Sequence, residues 1–364
     1  MTTLIPLSGF LGAGKTTLML AAARHLESQG SRVSVITNDQ GEELVDTHLA
    51  QQVDGIQSVS EITGGCFCCR FDDLVNTLMT VIENKHPDII LAEAVGSCTD
   101  LQSTVVRPLR QLHSAQLSIA PLTAVVDPVR YRALWRSEDE RDAESDLAYL
   151  FRHQLDDADI IVINKTDLVA DQGTTLTSEL QKNFPHAQVV ATSAATGQGV
   201  ESLVALWSAF RPQEEHRSFE IDYDRYGGAE AELAWANQTF TTDAKNSDSF
   251  QPAQWAHTFL TALGEETRAQ DAVVGHVKLR SQNREGAVKA SLTADELVTF
   301  DEKHTLPSTS ASWTLNARVA VPPAEMDKAI SIAVLHADRR HGTLTGQPTG
   351  ATFQPSYPTP TYRL

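Results

Sequence analysis

The stretch Gly9-Phe10-Leu11-Gly12-Ala13-Gly14-Lys15-Thr16, with Thr17 behind it, decides how the rest of the chain is read. It fills every fixed position of G-x-x-x-x-G-K-[ST], follows the apolar run Leu4-Ile5-Pro6-Leu7, and opens a helix-compatible run from Lys15 to about Ser28. Strand, loop and helix in that order form a phosphate cradle. The glycines let consecutive backbone N–H groups turn inward, and the helix N-terminus already favours negative charge. Lys15 is expected to reach the β/γ-phosphates and the Thr16 hydroxyl to sit on Mg²⁺, with Gly9, Gly12, Ala13, Gly14 and Thr17 around the phosphates. A glycine-rich turn that merely caps a helix is the plainer alternative.

Two acidic segments follow at strand ends. Val33 to Asn38 reads as a buried strand that runs into Asp39-Gln40-Gly41-Glu42-Glu43. Asp39 is placed to touch the metal's water shell and Glu42 to serve a second metal site, although either acid could be a solvated turn residue. Ile89-Ile90-Leu91-Ala92 delivers Glu93-Ala94-Val95-Gly96, the form of a segment whose acid meets the Mg²⁺ shell or the attacking water.

Between them lies Thr63-Gly64-Gly65-Cys66-Phe67-Cys68-Cys69. The apolar spacing of Phe71, Leu74, Val75, Leu78 and Ile82 that comes next predicts an amphipathic helix. Cys68 and Cys69 then stand at or just before a helix N-terminus, which lowers a thiol's pKa. Three sulfurs this close suit a soft or borderline ion such as Zn²⁺ but leave a fourth tetrahedral position to be filled from elsewhere. Three inert core cysteines are the competing reading. The fourth cysteine, Cys98, lies two residues past Gly96 and is an auxiliary candidate.

A later strand, Ile160 to Ile163, ends in Asn164-Lys165-Thr166-Asp167. A carboxylate there takes two hydrogen bonds from the N1–H and 2-amino group of guanine, which adenine cannot supply. Asn164, Lys165 and Asp167 are therefore expected to select GTP/GDP, with Ser193 and Ala194 after the next strand offering a backbone N–H to guanine O6.

The composition narrows the partners. With 47 acidic against 29 basic residues the net charge is −18, which repels a polyanion, so nucleic acid is not expected. No apolar run reaches the ~20 residues of a membrane span, so no membrane association is expected and the cytoplasm is the expected compartment. Four clustered cysteines do not make a secreted disulfide framework. The order of elements predicts an α/β nucleotide-binding domain over residues 1–212, a doubly wound and mostly parallel sheet. A linker at 213–228 then leads to a smaller α+β domain at 229–340, with the order strand, helix, three strands, helix, and a Pro/Gly-rich tail at 341–364.

The loop at Gly9–Thr16, Cys66-Phe67-Cys68-Cys69, Glu93-x-x-Gly96 and Asn164-Lys165-Thr166-Asp167, in this order, resemble the CobW family of P-loop GTPases, regarded as zinc, and in some branches cobalt, metallochaperones. The resemblance implies a P-loop NTPase fold, with Lys15, Asp39 and Glu93 serving hydrolysis. It implies that Cys66, Cys68, Cys69 and Glu42 hold the transported metal, zinc or alternatively Co²⁺, for delivery to a client metalloprotein. A homodimer is one possible assembly. Ala94-Val95-Gly96-Ser97-Cys98 departs from the family's commoner Thr-Thr-Gly form. A regulatory GTPase whose cysteines sense metal or redox state is the alternative reading.

Overall fold

The first strands show no polar/apolar alternation, as a sheet covered on both faces requires. β1 (Thr2–Ser8) buries Leu4, Ile5 and Leu7. The phosphate-loop candidate leaves its end and enters α1 (Lys15–Ser28). β2 (Val33–Asn38) is buried throughout, β3 (Ser58–Ile62) follows, and α2 (Phe71–Lys85) packs the predicted amphipathic face inward through Phe71, Leu74 and Leu78. β4 (Ile89–Glu93) leads through a π-helical turn, Gln102–Val106, to α3 (Arg107–Leu112), β5 (Leu117–Ile119) and β6 (Thr123–Val126). Then come α4 (Pro128–Leu134), α5 (Asp146–Asp156), β7 (Ile160–Ile163), α6 (Thr174–Asn183), β8 (Gln188–Ala191), α7 (Val200–Ala209) and α8 (Tyr223–Glu232). This computed structural model describes all residues except 39–55, 136–143, 172, 210–219, 246–248, 271, 284–285 and 293–296. The candidates Asp39 and Glu42 therefore lie outside the described residues.

The described residues fall into two compact units, one running to Ala229 and regaining Tyr357–Leu364, the other spanning Glu230–Ser356. In the first, the strand order is β3-β2-β4-β1-β6-β7-β8, with β5 also on β1 and every pairing parallel. This is the doubly wound sheet that the sequence predicts. Its register sets the site: Leu7 faces Glu93 on one side and Thr123 on the other, so β1 and β4 end level with each other. Ligands of such sheets bind outside the carboxyl ends of the strands. Beneath that edge, α1 and α7 share a core of Leu18, Met19, Ala22, Leu203 and Trp207, whose indole N–H donates to Thr123 at 2.8 Å.

The second unit is antiparallel. β9 (Ala234–Ala244), α9 (Pro252–Arg268), β10 (Val274–Asn283), β11 (Gly286–Leu292), β12 (Val298–Lys303), β13 (Ser310–Val319), α10 (Pro323–His341), β14 (Thr343–Thr345) and β15 (Thr349–Phe353) follow in sequence. The sheet runs β12-β11-β10-β13-β9-β14, with β15 also on β9. Trp255 and Phe259 of α9 and Met326 and Ile330 of α10 share one core with Val277, Leu279, Trp313 and Leu315.

The structure adds to the predicted order here. Among the described residues four strands, not three, lie between α9 and α10, because β12 is only half buried and shows little apolar signal. Residues read as linker include the start of α8, and the Pro/Gly-rich stretch supplies β14 and β15. Thr-rich edges pair by backbone hydrogen bonds that composition does not reveal.

Candidate nucleotide and metal site

The phosphate-loop candidate is shaped by close backbone approach. Gly9 has φ +127°, and a Cβ there would lie 2.2 Å from the Val125 carbonyl oxygen. Gly14, at φ +87°, caps α1. Lys15 and Thr16 are both buried; the Lys15 ammonium reaches the Phe10 carbonyl at 3.4 Å and stands 3.9 Å from Glu93. Thr16 donates to Glu93 Oε1 at 3.1 Å. A hydroxyl and a carboxylate meeting beside a lysine are the hard oxygen donors that Mg²⁺ prefers. Ala13 is buried at the inner side of the loop, whereas Gly12 is partly exposed and Thr17 exposed.

Asn164 ties this loop to the neighbouring one. Its Nδ2 donates to the Ala13 carbonyl at 3.0 Å and, more weakly, to that of Gly14 at 3.4 Å. Its Oδ1 accepts from the Ala194 N–H at 3.0 Å and the Thr192 hydroxyl at 3.4 Å. Both ends of a buried amide are thus committed to the fold, and the Ala194 N–H expected to meet guanine is turned toward Asn164. Lys165, at φ +59°, donates to Asp127 Oδ2 at 2.6 Å, while Asp127 Oδ1 caps α4 by accepting from Val129 and Arg130. Asp167 is exposed on the short 3-10 turn Thr166–Leu168, and Ser193 is buried with its Oγ accepting from the Thr196 N–H.

The sulfur cluster is built at the end of β2. The Asn38 amide donates to the carbonyls of Ile62 at 3.0 Å and Gly65 at 2.7 Å and accepts the Phe67 N–H at 3.0 Å. The Cys69 and Arg70 N–H groups both return to the Cys66 carbonyl. Cys66, Cys68 and Cys69 consequently lie within 4.8 Å of one another, the first two buried and the third partly exposed. Cys66 and Cys68 sulfurs are 2.7 Å apart, and Cys68 and Cys69 sulfurs 3.8 Å. The second separation matches the edge of a tetrahedron with Zn–S bonds of about 2.3 Å, roughly 3.8 Å; the first would have to open by about 1 Å.

The thiols do not titrate as the helix N-terminus alone predicts. Hydrogen bonds from Cys68, Cys69 and Cys98 hold Cys66 well below the usual thiol range. The Cys68 thiol is pushed up by donating to Cys66, with burial adding to it. Cys69 is pushed up to about 11, first by its hydrogen bond to Cys66. Sharing protons within the cluster outweighs the partial charge of α2, so thiolate character gathers on Cys66.

Chain segments distant in sequence complete this neighbourhood. Gln154 on α5 donates from Nε2 to the carbonyls of Gly96 and Cys98, each at 2.9 Å, fixing the loop after β4. Residues near 360 lie along the cysteine loop: the Thr359 N–H donates to Cys69 Sγ at 3.2 Å and the Thr361 N–H to the Cys68 carbonyl at 2.9 Å. Tyr362 stacks edge-on against Phe71 at 5.0 Å, and Arg363 pairs with Asp100 at 2.9 Å. Asn38, Asp127, Gln154 and Thr359 carry no motif; only Asp127, an acid before a proline at a strand end, gives a sequence signal as a helix cap.

Residues 3–191 match the family described as "CobW/HypB/UreG, nucleotide-binding domain". The chain is 28% identical over 257 residues to a protein named zinc chaperone CobW from Sinorhizobium sp, covering 62% of this chain and 72% of that one. It is 24% identical over 243 residues to zinc-regulated GTPase metalloprotein activator 1 of Dictyostelium discoideum, covering 58% of this chain and half of that one, 50%. Among solved structures, the Zn(II)-bound YjiA GTPase from E. coli aligns over 91% of this chain and 98% of its own, at 13% identity and a TM-score of 0.37. No helix among the described residues is long and apolar enough to cross a membrane.

Proposed function

The chain belongs to the CobW/HypB/UreG family, and from that premise we propose that it is a GTP-hydrolysing metal carrier. Cys66, Cys68 and Cys69 hold the cargo, zinc in the first instance and cobalt as the alternative, and a client metalloprotein in the cytoplasm receives it. The relatives' names, zinc chaperone and zinc-regulated GTPase metalloprotein activator, support the cargo and the nucleotide. The observation that carries the reading is a three-sulfur cluster, two of its members buried and Cys69 partly exposed, in the same unit as an intact phosphate loop.

The residues divide the work as follows. Backbone N–H groups of Gly12 to Thr16 and the Lys15 ammonium would neutralise the phosphates, and Thr16, held by Glu93, would be the Mg²⁺ ligand. Bound there, Mg²⁺ would offset charge developing on the transferred phosphoryl group. Glu93 ends β4 beside the loop, so it is positioned to orient the attacking water as well as Thr16. Asp39 is assigned to the same water and Mg²⁺ shell, and Glu42 to the cargo, from sequence alone. Asp167 reads guanine, and Asn164 supports the loops that do so.

Zinc bound to thiolates is exchanged by adding or removing a ligand, so a carrier needs a site whose geometry responds to nucleotide. Gly96 supplies the path: a Cβ there would lie 2.6 Å from Leu11 Cδ2 and 3.0 Å from the Leu11 backbone nitrogen, inside the phosphate loop. A shift of the loop on hydrolysis is thereby passed to the segment after Glu93. Competition titration of zinc in the presence of a GTP analogue and of GDP tests this: affinities should differ by tenfold or more. Equal affinities in both states remove the coupling.

A second reading, a GTP-binding switch whose cysteines sense metal or redox state, is favoured by the 2.7 Å approach of Cys66 and Cys68. Cys68→Ala separates the two. A sensor keeps client binding, whereas a carrier loses client metallation.

A further inference from the structure

Cargo held by buried thiols can be reached only where the cluster is open. Cys66 and Cys68 are buried and Cys69 is partly exposed, so the open side is the one that Cys69 borders. Residues 357–364 belong to the same unit as the cluster and lie against Cys69. Pro358 and Pro360 carry no N–H, and the donors that follow each of them, Thr359 and Thr361, both go to the cysteine loop, at Cys69 Sγ and the Cys68 carbonyl. The far end is anchored by side chains. Tyr362 packs edge-on against Phe71, and Arg363 meets Asp100, a 5% exposed carboxylate that also accepts from the Tyr223 hydroxyl at 2.8 Å. Leu364 donates its N–H to the Ser103 carbonyl at 2.9 Å, and its own carbonyl accepts from the Arg107 guanidinium at 2.8 Å.

We propose that this seat is the docking surface of the metal-receiving partner, and that residues 357–364 are a strap that fills it until a segment of the partner displaces them. The proposal rests on the metal-carrier reading and names its docking surface and the chemistry of the partner. A seat that takes backbone N–H groups, then an aromatic ring, then a guanidinium fits a proline-containing segment of another protein with an aromatic residue followed by arginine. Phe71 and Asp100 select that pair of side chains, whereas the Cys68 and Ser103 carbonyls accept from any backbone. While seated, the strap supplies an N–H to Cys69 Sγ, which favours the thiolate and so the bound ion. Displacement withdraws that donor as the partner arrives. Retention and release are two occupancies of one surface.

The test follows zinc leaving the full chain, loaded anaerobically, for a pyridylazo-resorcinol chelator. With Tyr362→Ala and Arg363→Ala together the strap loses an aromatic pair and an ion pair, so release should speed up roughly 5- to 30-fold while the amount bound under excess zinc stays the same. A synthetic peptide of residues 357–364, in large excess, should slow release from that variant back toward the wild-type rate, because the vacated seat accepts a segment in trans. Hydrogen exchange needs no variant: in the wild type the amides of Thr359, Thr361 and Leu364 should be protected. Release from the variant at the wild-type rate, or exchange of those amides as fast as in the free peptide, overturns the strap and leaves the three-cysteine carrier standing. Faster release that the peptide does not slow overturns the docking surface. Equal zinc binding by Cys68→Ala and the wild type overturns the carrier reading as well.

Discussion

Asn164→Ala offers the sharpest test of how the nucleotide end is built. The side chain is 1% exposed and forms two well-made hydrogen bonds at 3.0 Å, to the Ala13 carbonyl and from the Ala194 N–H, with two weaker ones at 3.4 Å. Truncation strands a buried donor on one loop and a buried acceptor on the other, each costing about 1–3 kcal/mol. Water entering the small gap recovers part of this, giving a net loss of roughly 2–4 kcal/mol. With a urea m-value of roughly 3 kcal/mol/M, the first unit's midpoint should fall by about 1 M with its slope unchanged. Because the amide acts on backbone rather than on a base edge, GDP and IDP should lose affinity by the same factor. Amide exchange at Ala194 should speed up in parallel. An unfolding change below about 0.5 kcal/mol, within the range of an ordinary surface substitution, would refute the tie between the loops. So would an affinity loss confined to guanine, which would make Asn164 a base reader.

Three further outcomes follow from other side chains. Asp167→Asn exchanges an acceptor for a donor and should shift preference from GDP toward XDP, measured by competition; unchanged GDP selectivity would remove Asp167 from the base site. Burial, with the neighbouring Asp100 carboxylate adding to it, pushes Asp157 up to about 8 against roughly 3.9 unfolded. The native state then keeps a proton the unfolded chain has lost, so stability contributed below about pH 4 falls away as pH rises to about 8, by up to about 5 kcal/mol. Asp157→Asn should flatten that decline in urea titrations at pH 5 and 8, and an identical decline in the variant would contradict it. Thr359→Pro removes one N–H from the segment between Pro358 and Pro360. Loss of the hydrogen bond to Cys69 Sγ, worth about 1–2 kcal/mol when the sulfur is charged, should weaken zinc binding roughly 5- to 30-fold by competition titration.

The phosphate loop and the parallel sheet are legible in the sequence because their signals are local. Gly9 to Thr16 has a fixed spacing, and runs such as Ile160-Ile161-Val162-Ile163 can be covered only on both faces. The cysteine trio is legible for the same reason. What escapes is everything set by register and by distant chain. Gln154 looks like one more polar position of an amphipathic helix, yet it is buried and holds the Cys98 loop. Thr359 and Thr361 lie in a Pro-rich stretch with no periodicity, yet their amides meet the cysteine loop. The acidity of the thiols is misread from sequence because a helix terminus acts through one or two positions, whereas the order of proton sharing among four sulfurs depends on their arrangement in space.

That arrangement follows from a single pairing. Because β4 lies parallel to β1 with Glu93 opposite Leu7, the chain after Glu93 must leave the sheet beside the phosphate loop. Gly96 lets it pass against Leu11, where a side chain of any size would hold the two apart. The next turn then delivers Cys98 to sulfurs brought up from the other side by Asn38 at the end of β2, a strand that also pairs with β4. One strand thus positions both a carboxylate beside Lys15 and Thr16 and a thiol near the cysteine loop, with four residues between them. Any ligand that fixes one end of so short a path restricts the other, and the effect is reciprocal. If nucleotide changes zinc affinity by a given factor, zinc must change nucleotide affinity by the same factor. The fold therefore joins the phosphate-loop candidate to the cysteine loop through a short covalent segment and one glycine contact.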